Sequence, residues 1–212
     1  MKLSSLAYGL LYGAVWTGMR LLFRRRVRGL ENVPRESAAL LIGNHRSYLD
    51  IPLVGTGVRR PVHFVARASL RSSRGISLLM RITRSIPIEP RAPDRSALGA
   101  IVEELKAGEL VAMFPEGTRS QGDEVLPFRG GALLAARRAG VPLIPMGLRG
   151  TGEALPKGAS WPRLHRLEVH FGEPIHPRSP DAFERARREV AHLSGSSLAA
   201  LTEASEKVGS GA

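Results

Sequence analysis

The 212-residue sequence contains no cysteine, which excludes disulfide bonds, cysteine-ligated zinc and a thiol nucleophile. Aromatic residues make up only 5% of the chain, and its basic residues are accompanied by neither zinc-finger spacing nor an RNP-type aromatic motif. A nucleic-acid-binding domain is therefore not expected. The sequence also lacks a G-x-S-x-G nucleophile elbow and any His, Asp and Glu cluster with metal-ligand spacing, so we expect no bound metal and no resident cofactor.

Lysine is scarce as well, because only 4 lysines stand beside 27 arginines. A GC-rich genome accounts for that ratio, but not for the formal net charge of +12 that remains after the 19 acidic residues are counted. An excess of this size predicts a polyanionic partner; of the usual ones, the missing motifs argue against nucleic acid, which leaves an anionic membrane or phosphorylated metabolites.

Residues 3–19 carry no charge, and five arginines follow within residues 20–28. Seventeen residues form a helix of about 25 Å, which is marginal for a hydrocarbon core of about 30 Å. The arginines stand where a signal peptide would be cleaved, so cleavage is not expected. Tyr8, Tyr12 and Trp16 recur at steps of four and predict an interfacial membrane anchor, although an ordinary core helix is the alternative.

Beyond this segment, strands and helices alternate, which is typical of an α/β domain. The pattern predicts strands over 38–43, 62–66, 86–88, 110–114, 142–147 and 167–175. It predicts helices over 51–58, 75–83, 94–107 and 130–139, and a last amphipathic helix with Ser179 as its cap and Pro180 in its first turn. We expect an anchor over 1–26, one domain over 27–194 and a fraying tail over 195–212.

One candidate site follows the first predicted strand, where "LLIGNHRSYLD" places His45 five positions before Asp50. A histidine held by a carboxylate can accept a proton near neutral pH, but the two side chains meet only if the chain bends between them. The alternative is that Asp50 caps the next helix and His45 is an ordinary loop residue.

A second candidate site follows the strand that ends in "FPEGTRS". Pro115 and Gly117 predict a tight turn that brings Glu116, Thr118 and Arg119 to the carboxyl edge of the sheet. An arginine there can hold a phosphate, although a surface β-turn with a Glu–Arg ion pair is the alternative. Two polar strand ends at one edge are typical of a ligand crevice in an open α/β sheet.

Together, "NHRSYLD", "FPEGTRS" and "VPLIPMGLRG" (141–150) resemble the three sequence blocks of the glycerolipid acyltransferases, in family order. The resemblance covers about residues 27–175 and implies a single mixed sheet flanked by helices. It implies that His45 is the general base that deprotonates an acceptor hydroxyl and that Asp50 orients it. It also implies that Glu116, Gly117, Thr118 and Arg119 line the acceptor site, with Arg119 on the phosphate.

The family's middle block, a basic residue followed by an I-P-I-acidic-Arg strand, resembles "FVAR" and "IPIEPR". This match makes Arg67 and Arg91 candidate substrate-binding residues. Pro90 occupies the position of the family's arginine, so either Arg91 or Arg84 could take its role. Arg129 and Arg149 are secondary candidates.

The resemblance implies acyl transfer from acyl-CoA or acyl carrier protein to the sn-2 hydroxyl of 1-acylglycerol 3-phosphate (lysophosphatidic acid), which gives phosphatidate. The expected partners are these anionic substrates and anionic membrane lipids, at the cytoplasmic face of the cell membrane, without nucleic acid. Glycerol 3-phosphate or another lysolipid is an alternative acceptor. A serine esterase using Ser47 or Ser120 is a different enzyme class, and a basic peripheral membrane-binding protein is the non-enzymatic alternative.

Overall fold

The computed structural model describes residues 5–67, 85–88 and 95–200, so the helix predicted over 75–83 lies outside the described residues. The helices are α1 Ser5–Leu21, α2 Asp50–Gly57, α3 Arg95–Lys106, α4 Gly131–Ala139, α5 Thr151–Ala154 and α6 Ala182–Ser194, with a 3₁₀ turn at Leu30–Asn32. The strands are β1 Arg26–Arg28, β2 Ala39–Gly43, β3 Val62–Arg67, β4 Ile86–Ile88, β5 Leu110–Met113, β6 Glu124–Val125, β7 Leu143–Arg149, β8 Glu168–Phe171 and β9 Ser197–Leu198.

Seven of these strands form one mixed sheet in the order β1-β8-β7-β2-β5-β3-β4. The five strands from β7 to β4 are mutually parallel, whereas β8 runs antiparallel to β7 and carries β1 beside it. The carboxyl ends of the five parallel strands therefore share one edge, and β2 and β5 lie next to each other at its centre. The single mixed sheet flanked by helices, expected from the resemblance, is confirmed.

The sheet separates two hydrophobic cores because successive side chains of a strand point to opposite faces. Along β2, Ala39 and Leu41 enter the core that contains α2, whereas Leu40 and Ile42 enter the core that contains α3, α4 and α6. Every residue of β2 is buried. This strand, which precedes His45, is thus covered on both faces and held by a parallel neighbour on each side.

Over residues 12–21, helix α1 packs one stripe of its surface against the domain and leaves most of the other side chains exposed. Met19 and the following Phe23 are buried in the α2-side core, and Val15 packs against them. Trp16 remains exposed on this helix, with the guanidinium groups of Arg20 and Arg25 each 5.4 Å from its ring centroid. Within the described part of the chain, no helix combines the length and the apolarity needed to cross a bilayer.

Most element boundaries lie within one or two residues of the sequence-based expectation, but some assignments change. Arg26, the last residue of the predicted anchor, is the first residue of β1, and the last strand of the sheet ends at Phe171 rather than at 175. The final helix begins at Ala182 and not at Pro180, because Asp181 precedes it with a left-handed φ of 53°. The expected cap at Ser179 is therefore wrong; its carbonyl oxygen instead accepts a hydrogen bond from the Ala182 N–H (3.2 Å) in a turn before the helix.

The start of the predicted tail is ordered by pairing. Gly195 ends α6 with a φ of +69°, and the chain returns so that β9 pairs in parallel with β6. The buried guanidinium of Arg187 donates to the carbonyl oxygens of Val125 and Ala199 and so joins the two strands. Residues 195–200 are thus part of the fold, and residues 201–212 lie outside the described residues.

The contact between β7 and α6 generates a stability prediction. A Cβ atom on Gly147 would stand 2.3 Å from the backbone of Leu193 and Ser194, so Gly147→Ala should lower the free energy of unfolding by about 2 kcal/mol or more. Gly99 of α3 is the control, since nothing lies within 4 Å of its Cβ position and alanine favours a helix by about 1 kcal/mol. Urea unfolding of both variants checks this; equal stabilities for the two would contradict the close packing.

Candidate active site

The two sequence blocks meet because β2 and β5 are neighbours with Ile42 opposite Met113. Beyond the strands, the imidazole of His45 stacks on the ring of Phe114, with centroids 4.3 Å apart and planes 9° apart. The backbone N–H of His45 donates to Glu116 Oε1 (3.1 Å), and its backbone carbonyl oxygen accepts a hydrogen bond from the backbone N–H of Ser120 (2.8 Å). Contacts on its ring and on both backbone groups therefore bind His45 to the second block.

His45 and Asp50 are in direct contact, because the chain turns between the end of β2 and the start of α2. Asp50 is fully buried, and its Oδ2 lies 2.8 Å from His45 Nδ1. The same oxygen accepts the backbone N–H groups of Arg46 (2.8 Å) and Ser47 (2.9 Å), which fixes the bend. A carboxylate oxygen in this position accepts the Nδ1 proton, so the Nε2 lone pair of His45 is left to take a proton from another group.

Glu116 lies behind the histidine and not on an open surface. Its side chain is only 4% exposed, and its Oε2 has no hydrogen-bond partner among the described residues. Burial raises the pKa of this carboxyl to about 8, against the lowering effect of hydrogen bonds from the backbones of His45 and Leu126. Glu116 Oε1 thus holds the backbone of His45, and the expectation that Glu116 also lines the acceptor site stays a prediction.

Gly117 forms the turn that follows, in the left-handed conformation that the sequence predicts for a glycine. Its φ is +69°, and its N–H donates to the Phe114 carbonyl oxygen (3.0 Å). A Cβ atom here would stand 2.8 Å from Nε of Arg129, so the absence of a side chain lets that guanidinium lie against the turn. Thr118 is exposed beside it.

Arg119 and Tyr48 connect the two blocks a second time. The guanidinium of Arg119 stacks over the Tyr48 ring at 3.9 Å from its centroid, and neither side chain is fully buried. The stacking restricts the orientation of the guanidinium while its N–H groups stay available at the edge of the plane. The guanidinium of Arg119 is therefore fixed next to residues 44–50, the segment that carries His45.

Asn44 is a site residue to which the sequence gave little weight. It is buried, its Oδ1 accepts the Leu148 N–H (2.8 Å) and its Nδ2 donates to the Leu148 carbonyl oxygen (3.1 Å). The side-chain amide thus continues the pairing of β2 with β7 after the backbone of β2 has turned away. Its position directly before the histidine is the signal that could have identified it.

Other candidates have structural contacts. Arg149 donates to the carbonyl oxygen of Leu193 (2.7 Å) at the carboxyl end of α6, where a basic group also interacts favourably with the helix dipole. Ser47 and Ser120, the possible esterase nucleophiles, are buried, and the Ser47 hydroxyl donates to the Leu155 carbonyl oxygen (2.8 Å).

Of the two candidate arginines of the middle block, only Arg67 lies within the described residues. Arg67 is the last residue of β3, opposite Ile88 of β4, so the two halves of the middle block are neighbours in the sheet. Arg91 and Arg84 lie outside the described residues. Among the residues that the structure describes, no group of three or more His, Asp or Glu side chains could hold a metal ion.

The fold and this geometry together define a class of protein: an α/β enzyme suited to general-base chemistry on an anionic substrate at the carboxyl edge of its sheet. The imidazole carries a carboxylate on one nitrogen, and no hydrogen bond joins its other nitrogen to any residue that the structure describes. A guanidinium is held next to it.

Comparisons with known proteins agree with this class. The acyltransferase family model matches residues 24–149. The 1-acyl-sn-glycerol-3-phosphate acyltransferase of Bacillus subtilis (strain 168) is 28% identical over 84% of this chain and 83% of its own length. The chloroplastic 1-acyl-sn-glycerol-3-phosphate acyltransferase LPAT1 of Arabidopsis thaliana is 31% identical over 80% of this chain, which spans only 49% of that longer protein.

A solved structure is similar over the whole fold. The crystal structure of the 1-acyl-sn-glycerophosphate (LPA) acyltransferase PlsC from Thermotoga maritima matches with a TM-score of 0.71 and 27% identity, covering 100% of this chain and 85% of that chain. This chain belongs to the acyltransferase family. It is an enzyme of that class, which excludes the non-enzymatic interpretation of its positive charge.

The buried Glu116 generates a prediction about pH. Because its folded-state pKa of about 8 lies above the ordinary 4.5, the folded protein holds this proton more tightly than the unfolded chain. That contribution to stability is fully present below about pH 4.5 and is lost as the pH rises toward 8, with a slope of up to about 1.4 kcal/mol per pH unit. Glu116→Gln cannot titrate and should lack the slope.

Urea unfolding of the wild type and Glu116→Gln at pH 5, 6, 7 and 8 measures this difference. Glu124→Gln, which changes an exposed side chain on β6, is the matched control and should follow the wild type. If the curves of wild type and Glu116→Gln run parallel, the Glu116 carboxyl does not hold its proton as inferred.

Proposed function

We propose that this enzyme transfers a fatty acyl group from an acyl thioester to the sn-2 hydroxyl of 1-acylglycerol 3-phosphate, giving phosphatidate. The observation that carries the proposal is the His45–Asp50 pair, whose side chains are 2.8 Å apart. Non-covalent contacts, among them the stacking of Arg119 on Tyr48, join this pair to the "FPEGTRS" block. The names of the relatives in Bacillus subtilis and Arabidopsis thaliana and of the Thermotoga maritima structure support the same acceptor.

In this mechanism His45 Nε2 removes the hydroxyl proton of the acceptor as the hydroxyl oxygen attacks the thioester carbonyl carbon. The C–S bond then breaks, and the leaving thiolate takes the proton from the imidazolium. Asp50 stabilises that imidazolium and holds the tautomer in which Nε2 is unprotonated. No acyl-enzyme forms, which is consistent with the absence of cysteine and with the buried, backbone-bonded Ser47.

Arg119 binds the acceptor phosphate in this proposal. A stacked guanidinium offers a planar pair of N–H groups that matches two phosphate oxygens, and the Arg129 side chain lies against the same turn at Gly117. Glycerol 3-phosphate and other phosphate-bearing lysolipids present the same group. The choice among them depends on contacts with the rest of the acceptor.

The acyl donor in the proposal is acyl-CoA or acyl carrier protein. Both are anionic, which is consistent with the net charge of +12. Their thioesters are cytoplasmic, so we place the enzyme at the cytoplasmic face of the cell membrane as a peripheral or monotopic protein. Helix α1 supports this placement, since Tyr12, Trp16 and Leu21 are exposed beside Arg20.

The role of His45 is tested by replacing it. His45→Ala should lower kcat for phosphatidate formation from 1-oleoylglycerol 3-phosphate and palmitoyl-CoA by about 10²–10⁴-fold, because the acceptor hydroxyl loses its base. Mass spectrometry measures the product, and His192→Ala, an exposed histidine on α6, should keep wild-type activity. A His45→Ala variant as active as the wild type would remove this mechanism.

The role of Arg119 is tested by comparing an acceptor that has a phosphate with one that lacks it. Arg119→Ala should raise KM for 1-acylglycerol 3-phosphate by roughly tenfold or more, since hydrogen bonds to a charged group contribute about 1.5–3 kcal/mol each. Acylation of monoacylglycerol, which lacks the phosphate, should change little. Arg138→Ala, an exposed arginine on α4, is the control. An unchanged preference for the phosphorylated acceptor in Arg119→Ala would assign the phosphate to another residue.

A further inference from the structure

Residues 156–166, called here the exposed loop, are exposed along their entire length between α5 and β8. Trp161 is 84% exposed and Leu164 75%, the highest values among the large hydrophobic side chains of the described residues. Leaving two such side chains in water forfeits the free energy of burying them, and neighbouring exposed apolar groups are a mark of an interaction surface.

The charge of the exposed loop is of one sign. It contains Lys157, Arg163 and Arg166 and no acidic residue. Arg166 forms an ion pair with Glu168 (3.0 Å), whereas no ion pair within the described residues involves Lys157 or Arg163. A tryptophan and a leucine beside uncompensated basic groups match the boundary between anionic headgroups and acyl chains.

The exposed loop is held in place at both ends. The Arg163 N–H donates to the Ala154 carbonyl oxygen (2.7 Å), which closes the loop on α5. The Leu155 carbonyl oxygen accepts the Ser47 hydroxyl (2.8 Å), so the base of the loop is bonded to the segment that carries His45. A surface that contacts the exposed loop would therefore lie next to residues 44–50, the segment that carries His45.

The exposed loop also adjoins the end of α1. The Leu167 N–H donates to the Phe23 carbonyl oxygen (3.0 Å), and the Leu167 carbonyl oxygen accepts the Arg26 N–H (2.9 Å). Leu167 and Phe23 share one buried core, on the α2 side of the sheet. The exposed Leu21 and Leu22 thus belong to the same side of the molecule as the exposed loop.

We propose that the exposed loop is a second membrane-contacting element, in which Trp161 and Leu164 enter the headgroup region of an anionic bilayer and Lys157 and Arg163 contact lipid phosphates. The inference deepens the proposed function and rests on it, since an enzyme acting on membrane-borne lysolipid needs its crevice at the lipid surface. Two attachment elements on one side of the sheet would fix the orientation of the crevice, which α1 alone would leave free to rotate.

The chain offers a direct probe because it has two tryptophans, Trp16 and Trp161. In Trp16→Phe, the fluorescence reports on Trp161 alone. Vesicles of phosphatidylglycerol and phosphatidylcholine should shift this emission to the blue, and brominated acyl chains should quench it. Emission that stays at the wavelength of exposed tryptophan, while the protein sediments with the vesicles, would overturn the proposal.

Binding is then measured by vesicle sedimentation in the absence of substrates. Trp161→Ala with Leu164→Ala should weaken partitioning by on the order of tenfold, from the apolar area lost. Lys157→Glu with Arg163→Glu should weaken it further at low salt and less at high salt. The matched control is Arg185→Glu with Arg188→Glu, exposed on α6 on the opposite face of the sheet, and should bind as the wild type does.

The remaining outcomes also decide the proposal. Wild-type binding by both loop variants, with unchanged thermal unfolding, would overturn it. Unchanged vesicle binding with weaker binding of acyl carrier protein would assign the loop to an acidic protein surface instead, and would overturn it as well. Since no substrate is present, loop-dependent vesicle binding by a protein that fails to acylate lysophosphatidate would support this inference while refuting the proposed function.

Discussion

The site depends on one buried carboxylate. Asp50 has no exposed surface, and its Oδ2 accepts two backbone N–H groups and the His45 ring. A buried carboxylate is unfavourable unless hydrogen bonds compensate for lost hydration, so the chain between β2 and α2 must adopt the turn that supplies these donors. The orientation of the histidine then follows from the same turn. Asp50 can reach His45 only if the chain bends between them, and Asp50 itself stabilises that bend by accepting the backbone N–H groups of Arg46 and Ser47.

The second block adds a constraint from the other side. Phe114 stacks on the imidazole, and Glu116 holds the backbone of His45 across a sequence separation of 71 residues. These contacts exist only because β2 and β5 pair directly, although β3 and β4 lie between them in the chain. Sheet topology therefore determines the distance between the two blocks, and the intervening sequence has freedom to vary as long as that pairing persists.

Local pattern was sufficient for six of the seven strands of the sheet and for the turn at Gly117, because buried strands and a glycine turn leave strong periodic and compositional signals, whereas the single mixed sheet was expected only from the family resemblance. β2, β5 and the turn at Gly117 lie where the sequence predicts them. The contact between Glu116 and the backbone of His45 was not predictable, since only the tertiary fold reveals that this side chain is buried beside the histidine. The pairing of β9 with β6 likewise depends on Arg187, which appears in the sequence as one of several arginines on an amphipathic helix.

Helix α1 shows why composition alone left two interpretations open. An apolar segment followed by arginines is compatible with a membrane anchor and with a core helix, and the structure contains features of both. Met19 is buried in the domain, whereas Trp16 stays at the surface between two guanidinium groups. The burial of Met19 fits the core-helix interpretation, and the exposed face with Trp16 is the part of the helix on which the proposed membrane contact rests.

In the proposed mechanism, the base His45 and the phosphate-binding Arg119 belong to one connected set of contacts, and this affects how binding energy can be used. Arg119 stacks on Tyr48, which lies two residues before Asp50, and the backbone of Glu116 follows the Phe114 ring that supports the imidazole. A phosphate bound to Arg119 would therefore be held, through Tyr48, against the same short segment that carries His45. Energy from binding a non-reacting part of the substrate can thereby restrict the position of the reacting hydroxyl relative to Nε2, which is the contribution that orientation makes to catalysis.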